Sequence, residues 1–190
     1  MGLSPLSQGF VVRRVAAGEW REIKAMRLEA LQDEAASIAY LETYDAALAR
    51  PDEFWQERAA NASTGEAVAQ LVGITDAGAW VGSVTGLREL GGTSGWTGHP
   101  IEQDQVHVAG VWVHPDHRGA GVLGRLVAEV VAWSSAQGIE RVQLLVHEDN
   151  ARAQAAYRRL GFARTGVIVA REQGNEVEMV RAGGGAPTQP

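Results

Sequence analysis

The chain contains no cysteine in its 190 residues, which removes disulfides, thiolate nucleophiles and thiolate metal sites together and leaves the redox compartment undefined. It also lacks any apolar run approaching the roughly 18 residues that a membrane helix needs. Its opening MGLSPLSQGFVVRR has no apolar core of signal-peptide length. The Met-Gly start misses the myristoylation pattern, because Leu6 stands where Ser or Thr is required. Positive charge is short as well: 17 Lys plus Arg against 23 Asp plus Glu give a formal charge of -6. With a pI near 5.4, nothing draws the chain generally toward nucleic acid or anionic membrane. A soluble, cytoplasmic protein with neither of those partners is the expectation, and a cationic small molecule or basic segment is the easier ligand.

What is present is enough for one well-buried domain: 45% of residues are hydrophobic and 21% charged. Residues 1–9 and 183–190 are small, polar and rich in Gly and Pro, so they read as tails around a single domain at 10–182. Within it, FVVRRV (10–15) predicts a strand, and GEWREIKAMRLEALQDE (18–34) a helix burying Ile23, Met26 and Ala30. PDEFWQERAAN (51–61) predicts a second helix with proline at its start. AVAQLVGI and AWVGSVTGL flank the hairpin signal TDAG. QVHVAGVWV (105–113) follows as a strand with Gly110 at a bulge, then a helix over 121–137, a strand IERVQLLVHE and a helix NARAQAAYRRLG. FARTGVIVA and EVEMVRA close the chain as a hairpin around EQGN. The fold class expected is α/β (α+β): a mixed, mostly antiparallel sheet of about seven strands flanked by about four helices. The loop LGGTSGWTGHPIEQDQ (90–105) is the long interior stretch without periodicity.

HPDHRGAGVLGRL (114–126) joins an apolar strand directly to an amphipathic helix. Such a junction leaves the first helical N–H groups unpaired, with the positive end of the helix dipole behind them, which is an anion site. Gly119 and Gly121 leave the backbone open to a phosphate and permit the positive φ values of an N–H nest. Arg118 would add a charge-assisted contact, and Arg125 stands one turn into the helix. By itself a short Gly-rich turn also fits a plain tight turn, and it matches neither the P-loop nor the dinucleotide fingerprint.

VWVHPDHRGAGVLGRLV resembles the signature of the GCN5-related N-acetyltransferases, or GNAT family: an apolar strand, then Arg/Gln-x-x-Gly-x-Gly/Ala and a helix. NARAQAAYRRLGF is similar to that family's second feature, an Asn followed seven residues later by Tyr and then Gly-Phe. The two motifs span about 110–162, and the order of elements fits the GNAT fold from about 10 to 182. The resemblance implies acetyl-CoA as cosubstrate, with the pantetheine arm along Val111, Trp112 and Val113. It puts the pyrophosphate on Arg118, Gly119, Ala120, Gly121, Val122, Leu123 and Gly124, and Asn150 at the cofactor arm. It makes Tyr157 the acid that protonates the departing thiolate. Leu123 departs from the pattern, since the family usually has Gly or Ala there. The resemblance leaves a homodimer open.

Amide formation needs a neutral amine, a polarised carbonyl and a proton for the thiolate. The bulged strand at Ala109 to Val111 supplies an N–H, and Tyr157 the proton, although its stripe with Ala153 and Leu160 also suits a core aromatic. Asn150 equally suits a helix cap. Where some family members have a Glu base, this chain has Leu145 or Gln105. His107, on the same strand face as Gln105, is the candidate base, ahead of Glu102, Asp104 and Glu148. No metal is expected: His114 and His117 lie three apart without an evident third ligand. NAS at 61–63 fits the glycosylation triplet without a secretory context. Of Tyr40, Tyr44, Phe54, Trp55 and Trp96, one or two, such as Tyr44 or Trp96, are expected to line an aromatic acceptor site. Two functions follow: an N-acetyltransferase acting on the primary amine of a small molecule or of a peptide or protein, and a noncatalytic acyl-CoA-binding sensor or interaction module.

Overall fold

A computed structural model describes residues 9–182 of the chain. Apart from Gly9, the two expected tails lie outside the described residues. Seven strands form one sheet: β1 (Phe10–Arg14), β2 (Val68–Thr75), β3 (Trp80–Glu89), β4 (Gln105–Val113), β5 (Arg141–His147), β6 (Ala163–Arg171) and β7 (Gly174–Ala182). The helices are α1 (Trp20–Ala30), α2 (Ala36–Ala39), α3 (Tyr44–Leu48), α4 (Asp52–Thr64), α5 (Val122–Ser135) and α6 (Ala151–Arg159), with a 3-10 turn at Pro115–His117. The expected mixed sheet is present in the order β1-β2-β3-β4-β5-β7-β6, antiparallel throughout except between β4 and β5.

The four expected helices are present, joined by two of a single turn. The first helix stops at Ala30 rather than running to residue 34, because Asp33 turns its carboxylate back to accept the Ala35 N–H at 3.1 Å. Thr43 then caps α3 through the Ala46 N–H at 3.3 Å.

Each face of the sheet has its own cover. On one side Val84, Val106, Val108, Val142, Leu144, Val177 and Met179 pack with Leu126, Val127 and Val130 of α5 and with Tyr157 of α6. These α5 positions recur at helical spacing, and the strand residues recur at every second place, so both periods converge on one core. Gly82 and Gly86 let α5 approach: a Cβ on Gly82 would stand 3.0 Å from Val122 Cγ1. On the other side α1 and α4 bury Ile23, Met26, Trp55, Ala59, Val72 and Trp112. That second layer covers β1 to β3 and the end of β4. Beyond it the same face carries buried polar side chains: Glu89, Gln105, His107 and Gln143.

Candidate active site

The site begins where the parallel pair parts. β4 and β5 stay in register only from Gln105 with Arg141 to Val108 with Leu144, and past that point the strands splay. Just beyond, one extra residue on β4 opposes β3: Ser83 faces Trp112, Thr85 faces Ala109, and Gly110 takes φ +58°. This is the expected bulge. The His114 N–H bonds to Val81 on β3 at 2.9 Å, so alternation turns Val111 and Val113 toward the gap. Their carbonyls are already met by the protein, Val111 by the Tyr40 hydroxyl at 2.8 Å and Val113 by Arg118 Nε at 3.0 Å.

At the end of β4 the turn enters α5 through Gly119 (φ +83°) and Gly121 (φ +84°), and added Cβ atoms at either would meet nothing within 4 Å. Among the described residues no acceptor binds the Gly119, Gly121, Val122, Leu123 or Gly124 N–H. The Ala120 N–H is taken by His117 at 3.3 Å. A row of free amides at the start of a 14-residue helix, bare of side chains on the approach, fits a diphosphate. Leu123 does not stand in that approach as a free side chain: it is half-buried against the first core. Gly124 instead seats α5 beside α6, its Cβ position 3.5 Å from Leu160 Cδ2.

Arg118 is less free than its motif position suggests. Its Nη2 is ion-paired with Asp33 Oδ2, which also accepts the Trp112 indole N–H at 3.3 Å. The Asp33 side chain is only 4% exposed. Burial works against its charge, but the Ala35 N–H, Arg118 and Trp112 together outweigh it and hold the carboxyl below its usual range. Asp33 thus anchors the turn, and nothing in its local sequence marks it. Arg125 is likewise committed, to the Phe10 carbonyl at 2.9 Å.

Asn150 caps α6, its Oδ1 accepting the Ala153 N–H at 3.1 Å. Tyr157 is 8% exposed and stacks edgewise on Phe162 with ring centroids 5.9 Å apart. Its hydroxyl has no protein partner among the described residues, and burial pushes its pKa up, keeping it protonated.

A cleft of about 460 Å³ opens on the polar face, and His107, Trp96, Tyr40, Gly110, Leu145 and Glu176 line it. His107 is 3% exposed, beneath Trp96 with ring centroids 5.7 Å apart. Burial lowers its pKa, and the charges of Glu89 and Glu176 only partly offset that. Its Nδ1 meets the Gln143 amide, whose Oε1 is enclosed without a donor. Of the other candidate bases, Asp104 accepts the Gly91 N–H at 2.9 Å, and Glu102 and Glu148 are exposed outside the cleft. Two carboxylates went unnoticed in the sequence. Glu89 is buried, accepting the Trp96 N–H at 2.7 Å and Gln105 Nε2 at 2.8 Å. Glu176 reaches the cleft from the closing hairpin, paired with Arg171 at 3.0 Å. Trp96 and Tyr40 line the cleft, while Tyr44, Phe54 and Trp55 pack with the second core.

The family model described as the acetyltransferase (GNAT) family matches residues 20–162. The chain belongs to that family. It is 37% identical over 92 residues to a mycothiol acetyltransferase of Frankia casuarinae, a match covering 46% of this chain and only 22% of that relative. The GNAT fold is shared with an acetyltransferase of Streptococcus pneumoniae at TM-score 0.71 and 16% identity, covering 93% of this chain and 100% of that one. It is shared also with the PaiA N-acetyltransferase of Thermoplasma acidophilum, solved with coenzyme A, at TM-score 0.70 and 13% identity over 92% and 99% of the two chains. Among the described residues, no helix of this GNAT chain is long and apolar enough to cross a membrane.

Proposed function

We propose that residues 10–182 form one catalytic domain that moves the acetyl group of acetyl-CoA to a primary amine, by direct attack of the amine while both substrates are bound. The observation that carries this is the parting of β4 from β5 after Val108 and Leu144, which runs from the free amides at the start of α5 to the cleft over His107. Bound there, acetyl-CoA supplies a thioester-activated acyl group.

The chain's own residues do the rest. The gap-facing N–H groups of Val111 and Val113, on either side of Trp112, receive the pantetheine arm, and the amides of Gly119 and Gly121 to Gly124 receive the pyrophosphate. Asp33 holds Arg118, and with it the turn, in place. A backbone N–H at the Gly110 bulge is set to polarise the acetyl oxygen. Tyr157, protonated and without a competing partner, donates a proton to the thiolate as the sulfur leaves. Asn150 fixes the start of the helix that carries Tyr157.

His107 takes the proton that the amine loses. Its depressed pKa keeps it neutral near pH 7. With the Gln143 amide turned so that Oε1 accepts the Nδ1–H, the other ring nitrogen, Nε2, is the basic one.

Isothermal titration with acetyl-CoA, followed by thiol release against pooled amines, tests the reading. Micromolar binding with release in any pool is the expected result. Binding without release across small amines and peptides would instead identify a noncatalytic acyl-CoA-binding module, and no binding would overturn the cofactor assignment.

A further inference from the structure

Resting on the acetyl-transfer reading, we infer that the acceptor is an amine that also carries a carboxylate, and that Arg58 of α4 binds that carboxylate in the cleft. Arg58 lines both the main cleft and the hollow of about 20 Å³ behind it, and Gly110 of the bulge lines the same two spaces. The guanidinium therefore sits on the route to the place where the amine must react.

Among the described residues Arg58 has neither a hydrogen-bond partner nor an ion pair. The nearby carboxylate is spoken for. Glu42 accepts Arg27 at 3.1 Å and Arg50 at 2.9 Å, and both arginines line the cleft with it. One wall thus sets three guanidiniums against a single carboxylate. Burial lowers the Arg58 pKa, and the positive charges of Arg27 and Arg50 add to that, with the Glu42 carboxylate offsetting part of it. A half-buried guanidinium with no protein partner is open to a ligand, and its five N–H donors in a planar fork match a carboxylate. Glu176, the other carboxylate lining the cleft, is paired with Arg171 rather than with Arg58.

The wall repels polycationic amines and offers nothing to a bare alkylamine. It suits a small amino acid, its amine toward His107 and its carboxylate toward Arg58. The overall charge of -6 favours cationic partners at a distance. Inside the cleft the nearest charges decide, because they act across low dielectric and unscreened.

The test compares kcat/KM for each of the twenty L-amino acids with that for its α-amide. Rates are referred to the neutral amine, because the amide lowers the amine pKa. The expected result is an acid preference of at least tenfold for the best acceptor. In R58Q that preference collapses by about 10- to 100-fold, the size of one charge-assisted hydrogen bond. R58K restores part of it. Acetyl-CoA titration and thermal unfolding of R58Q, run alongside, separate a folding defect from a lost contact. Equal rates for acids and amides, or a preference that R58Q leaves intact, overturn the inference while acetyl transfer stands. If no amino acid or amide turns over, the acetyl-CoA complex is titrated with the same acids: binding abolished by R58Q supports the assignment, and absence of binding overturns it. Failure to bind acetyl-CoA at all overturns both readings together.

Discussion

Replacing Asp33 tests whether the phosphate turn hangs on a buried ion pair. The D33A substitution leaves the Arg118 guanidinium, 23% exposed, and the Trp112 indole N–H without their shared acceptor. Breaking a fully buried pair costs about 3–5 kcal/mol. Arg118 keeps the Val113 carbonyl and some water, so the lower end applies and D33A should cost about 3 kcal/mol. D33N retains an oxygen for Ala35 and Trp112 and should cost about 2 kcal/mol. For a chain of this size, 3 kcal/mol corresponds to a drop in Tm of about 6–12 °C. Urea unfolding followed by circular dichroism at pH 7 measures these values, and a D33N/R118Q double-mutant cycle should give a coupling above about 1 kcal/mol. The sign with pH is fixed, because the folded Asp33 carboxyl titrates below its unfolded value near 3.9. Its contribution is complete above that value and is lost as pH falls through the folded pKa, so the gap between wild type and D33N narrows as the solution is acidified through that range. Acetyl-CoA should also bind D33A several-fold more weakly, since the amides of the turn lose their anchor. Costs below 0.5 kcal/mol for both variants at pH 7 would refute the anchoring role.

Three further outcomes follow from the same geometry. G121A should lose about 1 kcal/mol through backbone strain alone, because φ is +84° and its Cβ meets nothing within 4 Å, and G121N should lose less; equal costs in urea unfolding contradict this. Y157F should unfold within about 0.5 kcal/mol of wild type, as the hydroxyl has no protein partner, yet lose about 100-fold in kcat by thiol release; a loss under tenfold removes Tyr157 from the acid role. His107 has a lowered folded pKa, so its stability contribution is complete above about pH 6.5 and is lost as pH falls toward the folded value. Wild type should therefore lose stability relative to H107N between pH 7 and pH 5, and a pH-independent difference would exclude a neutral buried imidazole.

The readable parts of the site were those written in consecutive residues. Gly119 and Gly121 announce a nest because only glycine takes their backbone angles cheaply, and the strand before them and the helix after them have distinct periods. Gly110 announced the bulge for the same reason. The short helices at 36–48 were not legible, since single turns leave no period, and they were set by Asp33 and Thr43 turning onto nearby amides. Glu89 closes a strand whose charged end looks solvated in sequence. Only the fold of the 90–104 loop over it supplies the Trp96 N–H and buries the carboxylate.

The sequence by itself determined the order of the strands and of the four longer helices, the phosphate-shaped turn, and the Asn150 to Tyr157 spacing that puts a cap and a hydroxyl on one helix. Each depends on contacts within a few residues, where backbone geometry fixes the partners. The tertiary structure alone decided that Asp33 takes Arg118 across 85 positions, that Gln143 faces His107 from the neighbouring strand, and that Arg58 is left without a carboxylate while Glu42 serves Arg27 and Arg50. Such meetings depend on strand register and helix packing. Those are set by burying the whole apolar surface at once, so no local spacing encodes which distant charges end up paired and which end up alone.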